Sequence, residues 1–268
     1  MQISVVIVAF NDSEYVKECV KSVLKSSCKF TIDTIVVSED RNNRSGYGEN
    51  ANKGIKQGLA NGSDYICLLN DDTKVDHNFL EWMIKENVDI CGCKIYDWDS
   101  RNILFYSCGM NMLTGQTSHN PNNHSRDLAQ YDHIKNPQWV CGCCVLIKKE
   151  VFEKIGYFDE RYVAYFEDTD FCWRARKAGF KLGLSPNSYV WHKGGVSSTT
   201  VFKARMISRN RIRFMRKHAT KWQLAVFFLY YFGFYLWVTL LYHFIYSEDF
   251  SNEKAILRGV YDGCSKLE

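Results

Sequence analysis

Residues 65–75, YICLLNDDTKV, carry an apolar run straight into Asn70, Asp71 and Asp72 before returning to Val75. Residues 65–69 suit a strand, and the stretches upstream say which kind. Residues 3–9 (ISVVIVA) and 34–38 (TIVVS) are continuous β-branched runs, as strands covered on both faces require. Asn11, Asp12 and Ser13 supply caps for a helix reaching Ser26, and residues 50–61 read as a second helix closed by Asn61-Gly62. Strands alternating with helices predict parallel βαβ units. The acids therefore stand at the carboxyl end of a strand, where open α/β sheets bind their ligands.

Two explanations fit acids in that place. Neighbouring carboxylates repel unless a cation is shared, and hard oxygen ligands favour Mg²⁺ or Mn²⁺ bridging to substrate phosphates. Alternatively, Asn-Asp-Asp-Thr caps a helix starting near Asp76. Downstream, GYFDE (156–160) leads into YFEDTD (165–170), where Glu167, Asp168 and Asp170 precede a helical pattern over 171–178 that stops at Gly179. Capping at a helix N-terminus accounts well for one acid and poorly for three. YVWHKGG (189–195) ends a further strand with His192, either a structural histidine or a nitrogen ligand to a metal held by Asp72.

Composition narrows the class. A chain of 268 residues, 46% hydrophobic, buries a full core as one large α/β domain or as a domain with an appendage, the latter expected here. A net charge of +4 gives no reason to expect nucleic acid as a partner. Eleven cysteines without small-secreted-domain spacing, and a Met1-Gln2-Ile3-Ser4 start that runs directly into a strand pattern, point to a reducing, cytoplasmic setting. Cys91 and Cys93 with Cys141, Cys143 and Cys144 are possible zinc ligands. An i, i+2 pair on a strand points into a core as readily as toward a metal, so buried thiols are preferred.

Together the stretches VVIVAFND (5–12), SGYGENANKGI (45–55), LLNDDTKVDHNFL (68–80), 142–182 from GCCVLIKKEVFEKIGYFDE to RKAGFKL, and VWHKGG (190–195) resemble the family-2 inverting glycosyltransferases, in particular their bacterial and archaeal rhamnosyltransferase-like branch. The resemblance covers about residues 2–217. It implies the GT-A nucleotide-diphospho-sugar transferase fold, α/β with a Rossmann-like, mostly parallel sheet, over residues 1–204, followed by a helical region over 205–268. It implies that 70–72 is the family's DXD metal element, with Asn70 replacing the first acid, Asp72 the Mn²⁺ or Mg²⁺ ligand and Asp71 near the donor ribose. His192 resembles the additional metal ligand. Glu167-Asp168 resembles the acceptor-side acidic pair, with Asp168 the catalytic base and Asp170 its substitute. For Asp168 the helix dipole would lower the pKa and a desolvating pocket would raise it.

By the same resemblance the nucleotide is clasped by Phe10 and Asn11 after the first strand and by Glu39 or Asp40 after the second. Gly46, Gly48, Asn52 and Lys53 match the glycine-rich segment, glycine allowing close backbone approach and Lys53 offering charge to phosphate. From the residues alone that segment is equally a loop followed by a solvated helix face.

The C-terminal part carries Arg205, Arg209, Arg213 and Arg216 at helical spacing, a stripe suited to anionic headgroups, to the donor diphosphate or to solvent. Residues 224–246 then contain no formal charge and are long enough to cross a bilayer. On an ideal helix Tyr231, Tyr235, Thr239, Tyr242 and Tyr246 share one face, and Leu229, Phe232, Leu236, Leu240 and Phe244 another, which predicts an interfacial amphipathic helix. Homo-oligomer packing is the other use of such a surface.

The sequence thus predicts a metal-dependent transferase that moves a sugar from a UDP- or dTDP-sugar to a saccharide or lipid-linked saccharide in cell-surface glycan synthesis, peripheral on the cytoplasmic face of the membrane. A sugar nucleotidyltransferase is the alternative enzyme, but residues 11–14 lack the glycine and lysine expected after its first strand. A non-catalytic nucleotide-sugar scaffold is the alternative from another class.

Overall fold

The computed structural model describes residues 1–9, 14–27, 29–38, 45–121, 125–194, 199–246 and 250–265. In chain order these form β1 (Gln2–Ala9), α1 (Glu14–Leu24), β2 (Thr31–Ser38), α2 (Tyr47–Ala60), β3 (Tyr65–Asn70), β4 (Thr73–Val75), α3 (Phe79–Lys85), β5 (Ile90–Asp97), β6 (Ile103–Phe105), β7 (Ser107–Asn111), β8 (Gln116–Asn120), β9 (Cys144–Lys148), α4 (Lys149–Ile155), a 3-10 turn (Glu160–Tyr162), α5 (Glu167–Lys177) and β10 (Leu182–His192). Helices α6 (Thr200–His218), α7 (Lys221–Tyr230), a π turn (Tyr231–Tyr235), α8 (Leu236–Tyr246) and α9 (Ser251–Ser265) follow.

The main sheet has the order β2-β1-β3-β9-β5-β10-β4, with β6 added to β5. Strands β2, β1, β3, β5 and β10 run one way, because β1 pairs in parallel with β2 and β3, β10 with β5, and β9 runs antiparallel between β3 and β5. The sheet is mostly parallel, as expected. Register aligns the strand ends: Ala9 lies opposite Ser38, Val8 opposite Asn70, and His192 opposite both Asp97 and Thr73. Strand β1 is buried from Ile3 to Ala9 because it is flanked on both edges. Ile3, Val5 and Ile7 pack with Cys67, Leu69, Phe79 and Met83 in the core, each large apolar side chain contributing about 1.5–3 kcal/mol. Cys91, Cys93, Cys143 and Cys144 belong to this core.

The helix expected near Asp76 begins instead at Phe79. Residues 73–75 are recruited as an edge strand antiparallel to β10, and Asp76 turns the chain by accepting from Asn78 N at 3.1 Å. Pairing outranks local capping tendency here. Helix α2 starts at Tyr47, three residues before the expected Asn50.

The chain divides into two compact units, residues 1–109, 119–163 and 167–196, and residues 110–118, 164–166 and 197–268. In the second, α9 packs along α6. Gly259 and Gly263 allow this closeness, since a Cβ at either would come 2.3 Å from Arg205 O or 2.8 Å from Arg209 O. Arg205 Nη2 donates to Asp262 at 2.7 Å, and Arg216 Nη1 donates to the Gly263 and Cys264 carbonyls at 2.9 and 2.6 Å, satisfying the end of α9. Arg209 is buried and donates to Asn210. The stripe expected to meet headgroups or a diphosphate is therefore largely spent within its own unit.

Helix Lys221–Tyr246 is, among the described residues, the one long and apolar enough to cross a membrane. Its two expected faces are not kept. Phe227, Tyr231 and Leu236 point inward, at spacings of four and then five, because the π turn adds a residue to one turn. Tyr235 lies 4.5 Å from the Arg211 guanidinium. Leu229, Phe232, Trp237, Leu241, Phe244 and Ile245 are exposed together with Tyr242 and Tyr246.

Candidate active site

The edge pairing of β4 with β10 sets Thr73 opposite His192, which brings the Asp72 carboxylate to the histidine. Asp72 Oδ1 lies 3.1 Å from His192 Nε2, and Oδ2 accepts from Gly194 N at 3.2 Å. Its main-chain oxygen accepts from Lys193 N at 3.0 Å. Asn70 Nδ2 approaches the same imidazole nitrogen at 3.5 Å. Asp71 and Asp72 are both buried. The capping role is thus absent, and the two strand ends hold the acid against the imidazole.

This pair suits a divalent cation in a specific way. Among the described residues His192 Nδ1 is buried without a hydrogen-bond partner, and no three His, Cys, Asp or Glu side chains converge to hold a metal. One carboxylate and one imidazole leave most coordination positions to a ligand's oxygens, which is how Mg²⁺-type ions bridge to phosphates. Asp72 and His192 fit such an ion, and the cysteines lie in the core.

A second acidic pair opens α5. Asp168 Oδ2 accepts from Gly142 N at 3.0 Å, and Oδ1 accepts from Thr169 N at 2.6 Å. Glu167 is buried beside it, with Oε2 unpartnered among the described residues. Desolvation outweighs the helix dipole at both groups. Burial raises the Asp168 carboxyl above its ordinary value, and burial followed by the Asp168 charge pushes Glu167 up to about 8. The two carboxyls are coupled, each disfavouring the charge of the other, so the pair favours sharing a proton.

The turn at residues 141–143 ties the two pairs together. Cys143 O accepts from Asn70 N at 3.0 Å, Gly142 N donates to Asp168, and Gly142 O accepts from Tyr47 Oη at 3.1 Å. Burial and the nearby Glu167 hold the Tyr47 phenol well above its usual pKa, so it remains a donor. Neither Tyr47 nor Gly142 is marked as functional by the sequence. The one available hint is the position of Tyr47 between two glycines of SGYG.

Several expected residues stand elsewhere. Asp170 is fully buried, accepting from Arg174 Nε at 2.8 Å and from Tyr162 Oη at 3.4 Å. Two residues along α5 turn it about 200° from Asp168, so Asp170 is a structural ion-pair partner and not a substitute base. Asn52 is buried, and its amide is used by Phe158 N, Phe158 O and Glu160. Lys53 is solvent-facing and paired with Glu49 at 2.9 Å. Gly46 does permit a close backbone approach, but to Val163, whose carbonyl oxygen would lie 2.4 Å from a Cβ there. Val163 itself sits at φ 64°, a strained conformation for a β-branched residue. Phe10, Asn11, Glu39 and Asp40 lie outside the described residues, although β1 and β2 end at the same sheet border as β3.

Comparison with known proteins gives the family. A family model described as glycosyl transferase family group 2 matches residues 65–250. The low-salt glycan biosynthesis hexosyltransferase Agl10 of Haloferax volcanii is 25% identical over 158 residues, 54% of this chain and 47% of that protein. An N-acetylglucosaminyl-diphospho-decaprenol L-rhamnosyltransferase of Mycobacterium tuberculosis is 41% identical over 54 residues, 20% of this chain and 18% of that protein. The chain therefore spans about half the length of Agl10 and less of the second relative. The solved structure of GalNAc-T7 with UDP, GalNAc and Mn²⁺ superimposes with a TM-score of 0.57 at 15% identity, covering 80% of this chain and 48% of that one. That likeness shows the fold, which is GT-A. With the family model matching well over half of its residues, the chain belongs to glycosyl transferase family group 2.

Proposed function

We propose that this chain is a metal-dependent, inverting glycosyltransferase that moves a hexosyl or deoxyhexosyl group from a UDP- or dTDP-sugar to a saccharide or lipid-linked saccharide in cell-surface glycan synthesis. The observation that supports this reading is the turn at 141–143, which bonds Asn70, two residues before the Asp72–His192 pair, through Cys143 O and bonds Asp168 of the Glu167–Asp168 pair through Gly142 N. Asp168 takes the proton of the acceptor hydroxyl as its oxygen bonds to the anomeric carbon. The bond from that carbon to the diphosphate oxygen breaks on the opposite side, so the configuration inverts. A proton held by Glu167, whose carboxyl is pushed up to about 8, would keep the charge of the pair on Asp168. Asp72 and His192 would hold Mn²⁺ or Mg²⁺, which when bound offsets charge on the departing diphosphate. The GalNAc-T7 structure with UDP and Mn²⁺ supports the donor class, and the rhamnosyltransferase relative supports a lipid-diphosphate-linked acceptor.

The helical unit supports a peripheral site at the cytoplasmic membrane face. Lys221 closely follows α6, while α9 returns along α6. A bilayer-crossing helix would carry α9 to the far side, away from Arg205 and Arg216. The exposed apolar surface of α7 and α8 instead suits burial at the headgroup boundary.

The test is release of nucleoside diphosphate from a panel of UDP- and dTDP-sugars with and without Mn²⁺. The expected result is Mn²⁺-stimulated turnover of one donor, with the stimulation lost in Asp72→Asn. Turnover that ignores both the cation and Asp72 rejects the metal role. Formation of sugar nucleotide from sugar phosphate and nucleoside triphosphate would instead identify a nucleotidyltransferase.

A further inference from the structure

One residue back from His192 along β10, on the opposite face of the pleat, Trp191 stands across from Lys74 of β4. Here the chain forms a cleft of about 590 Å³ lined by Lys74, Arg101, Arg126, Asp99, Ser100 and Trp191, within the size range of small-ligand sites. None of Asp72, His192, Glu167 or Asp168 lines it. We infer that this cleft is a second ligand site, taking a phosphate-bearing saccharide with its phosphate on Arg101 and Arg126 and its sugar ring on Trp191.

Charge is the first ground. Asp99 is the one acid in the lining, and it meets Lys74 at 3.5 Å with both side chains partly exposed, a weak pairing. The acids behind the wall are already engaged, since Lys94 holds Asp127 at 2.9 Å and Asp132 at 2.5 Å, and the Tyr96 hydroxyl also donates to Asp127. The Arg126 guanidinium meets no carboxylate among the described residues. Arg101 packs over the Tyr96 and Tyr189 rings at 5.6 and 5.8 Å, and among the described residues its one side-chain hydrogen bond is a long one to the Tyr96 hydroxyl, at 3.5 Å. Two guanidinium groups with open donor forks match the oxygens of a phosphate, which accept two parallel hydrogen bonds from each.

The second ground is the aromatic wall. Trp191 Nε1 donates to Ser100 O at 2.9 Å, its ring meets Tyr189 edge-on at 5.3 Å, and Lys74 Nζ lies 5.1 Å from its centroid. The indole is thus fixed before any ligand arrives, and since Lys74 is only weakly paired and can swing aside, the ring can offer apolar surface for the C–H face of a sugar beside the anion-binding groups. An isolated phosphate would leave that wall unused. As the holder of an acceptor's phosphate, two residues along the chain from Asp72, the cleft depends on the glycosyl-transfer reading, whereas its binding chemistry does not.

The test is calorimetric titration of the full chain, in EDTA, with glucose 1-phosphate, inorganic phosphate and glucose. We expect glucose 1-phosphate to bind more tightly than either component, Arg101→Gln/Arg126→Gln to weaken it at least tenfold, and Trp191→Leu to erase its advantage over inorganic phosphate. Arg126→Gln alone, which breaks no ion pair, gives the same direction in a variant that retains the fold. Flotation with phosphatidylcholine vesicles, plain or doped with polyprenyl diphosphate, separates the sources. Arginine-dependent capture by doped vesicles assigns the site to lipid-linked ligands, and arginine-dependent titration without capture assigns it to soluble ones. Binding unchanged by the arginine substitutions in both formats overturns the inference. UDP titration with Mn²⁺ is run in parallel: its failure counts against the donor reading, and its success beside an inert cleft counts against this inference alone.

Discussion

Glu167→Gln separates the charge of the acidic pair from its shape. Glu167 is buried, and its carboxyl rises from 4.5 to about 8, so the folded state binds a proton more tightly than the unfolded state does. The sign follows from linkage: between pH 4.5 and about 8 the native state holds more protons, and wild-type stability falls as pH rises. At ~1.36 kcal/mol per pH unit, the group bounds the loss at about 5 kcal/mol once pH exceeds about 8. Glutamine cannot ionise and retains the shape of the protonated acid. Its amide inherits an unpartnered position, since Glu167 Oε2 has no partner among the described residues, at a pH-independent cost of about 1–3 kcal/mol. The diagnostic quantity is therefore the change in the stability difference between pH 5 and pH 9, bounded at about 4 kcal/mol, or about 2 M urea at ~2 kcal/mol/M. Urea unfolding of both proteins across that range should show the variant gaining on wild type by about 1 M or more. Parallel midpoints would refute the placement of a protonated Glu167 in a desolvated site.

Three further outcomes follow from the same geometry. Asp170→Asn removes the buried partner of Arg174 and should destabilise the fold by about 3–5 kcal/mol in denaturant titration; unaltered stability would reopen Asp170 as a substitute base. Gly46→Ala drives a methyl group to 2.4 Å from Val163 O, a backbone overlap expected to cost about 1–3 kcal/mol and to lower the thermal midpoint; a neutral substitution would contradict that contact. The 268-residue chain should float with anionic liposomes and be released by high salt, carbonate-resistant binding favouring a true span and no binding favouring self-association.

Much of the architecture was legible in the residues, because β-branched runs and capped amphipathic stretches report their own burial. The strand ends at Asn70 and His192 and the helix opened by Glu167-Asp168 could be located that way. What was not legible depends on partners distant in sequence. Thr73–Val75 became a strand only because β10 lies beside it. Asn52 and Asp170 have the right chemistry for a site, but Phe158 and Arg174 use them first. The arginines of α6 face α9, a helix whose glycines reveal their purpose only once Arg205 O and Arg209 O are seen against them. A uniform 3.6-residue period could not anticipate the π turn that rotates the aromatic helix.

Asp168→Asn tests the central claim most directly. It preserves size and one of the two main-chain hydrogen bonds that the carboxylate accepts, from Gly142 N or from Thr169 N, but it cannot take a proton. Steady-state transfer from the accepted nucleoside-diphosphate sugar, measured together with donor affinity, should show kcat lower by at least about a hundredfold at nearly unchanged donor affinity. Near-normal kcat in this variant would contradict the assignment of Asp168 as the base.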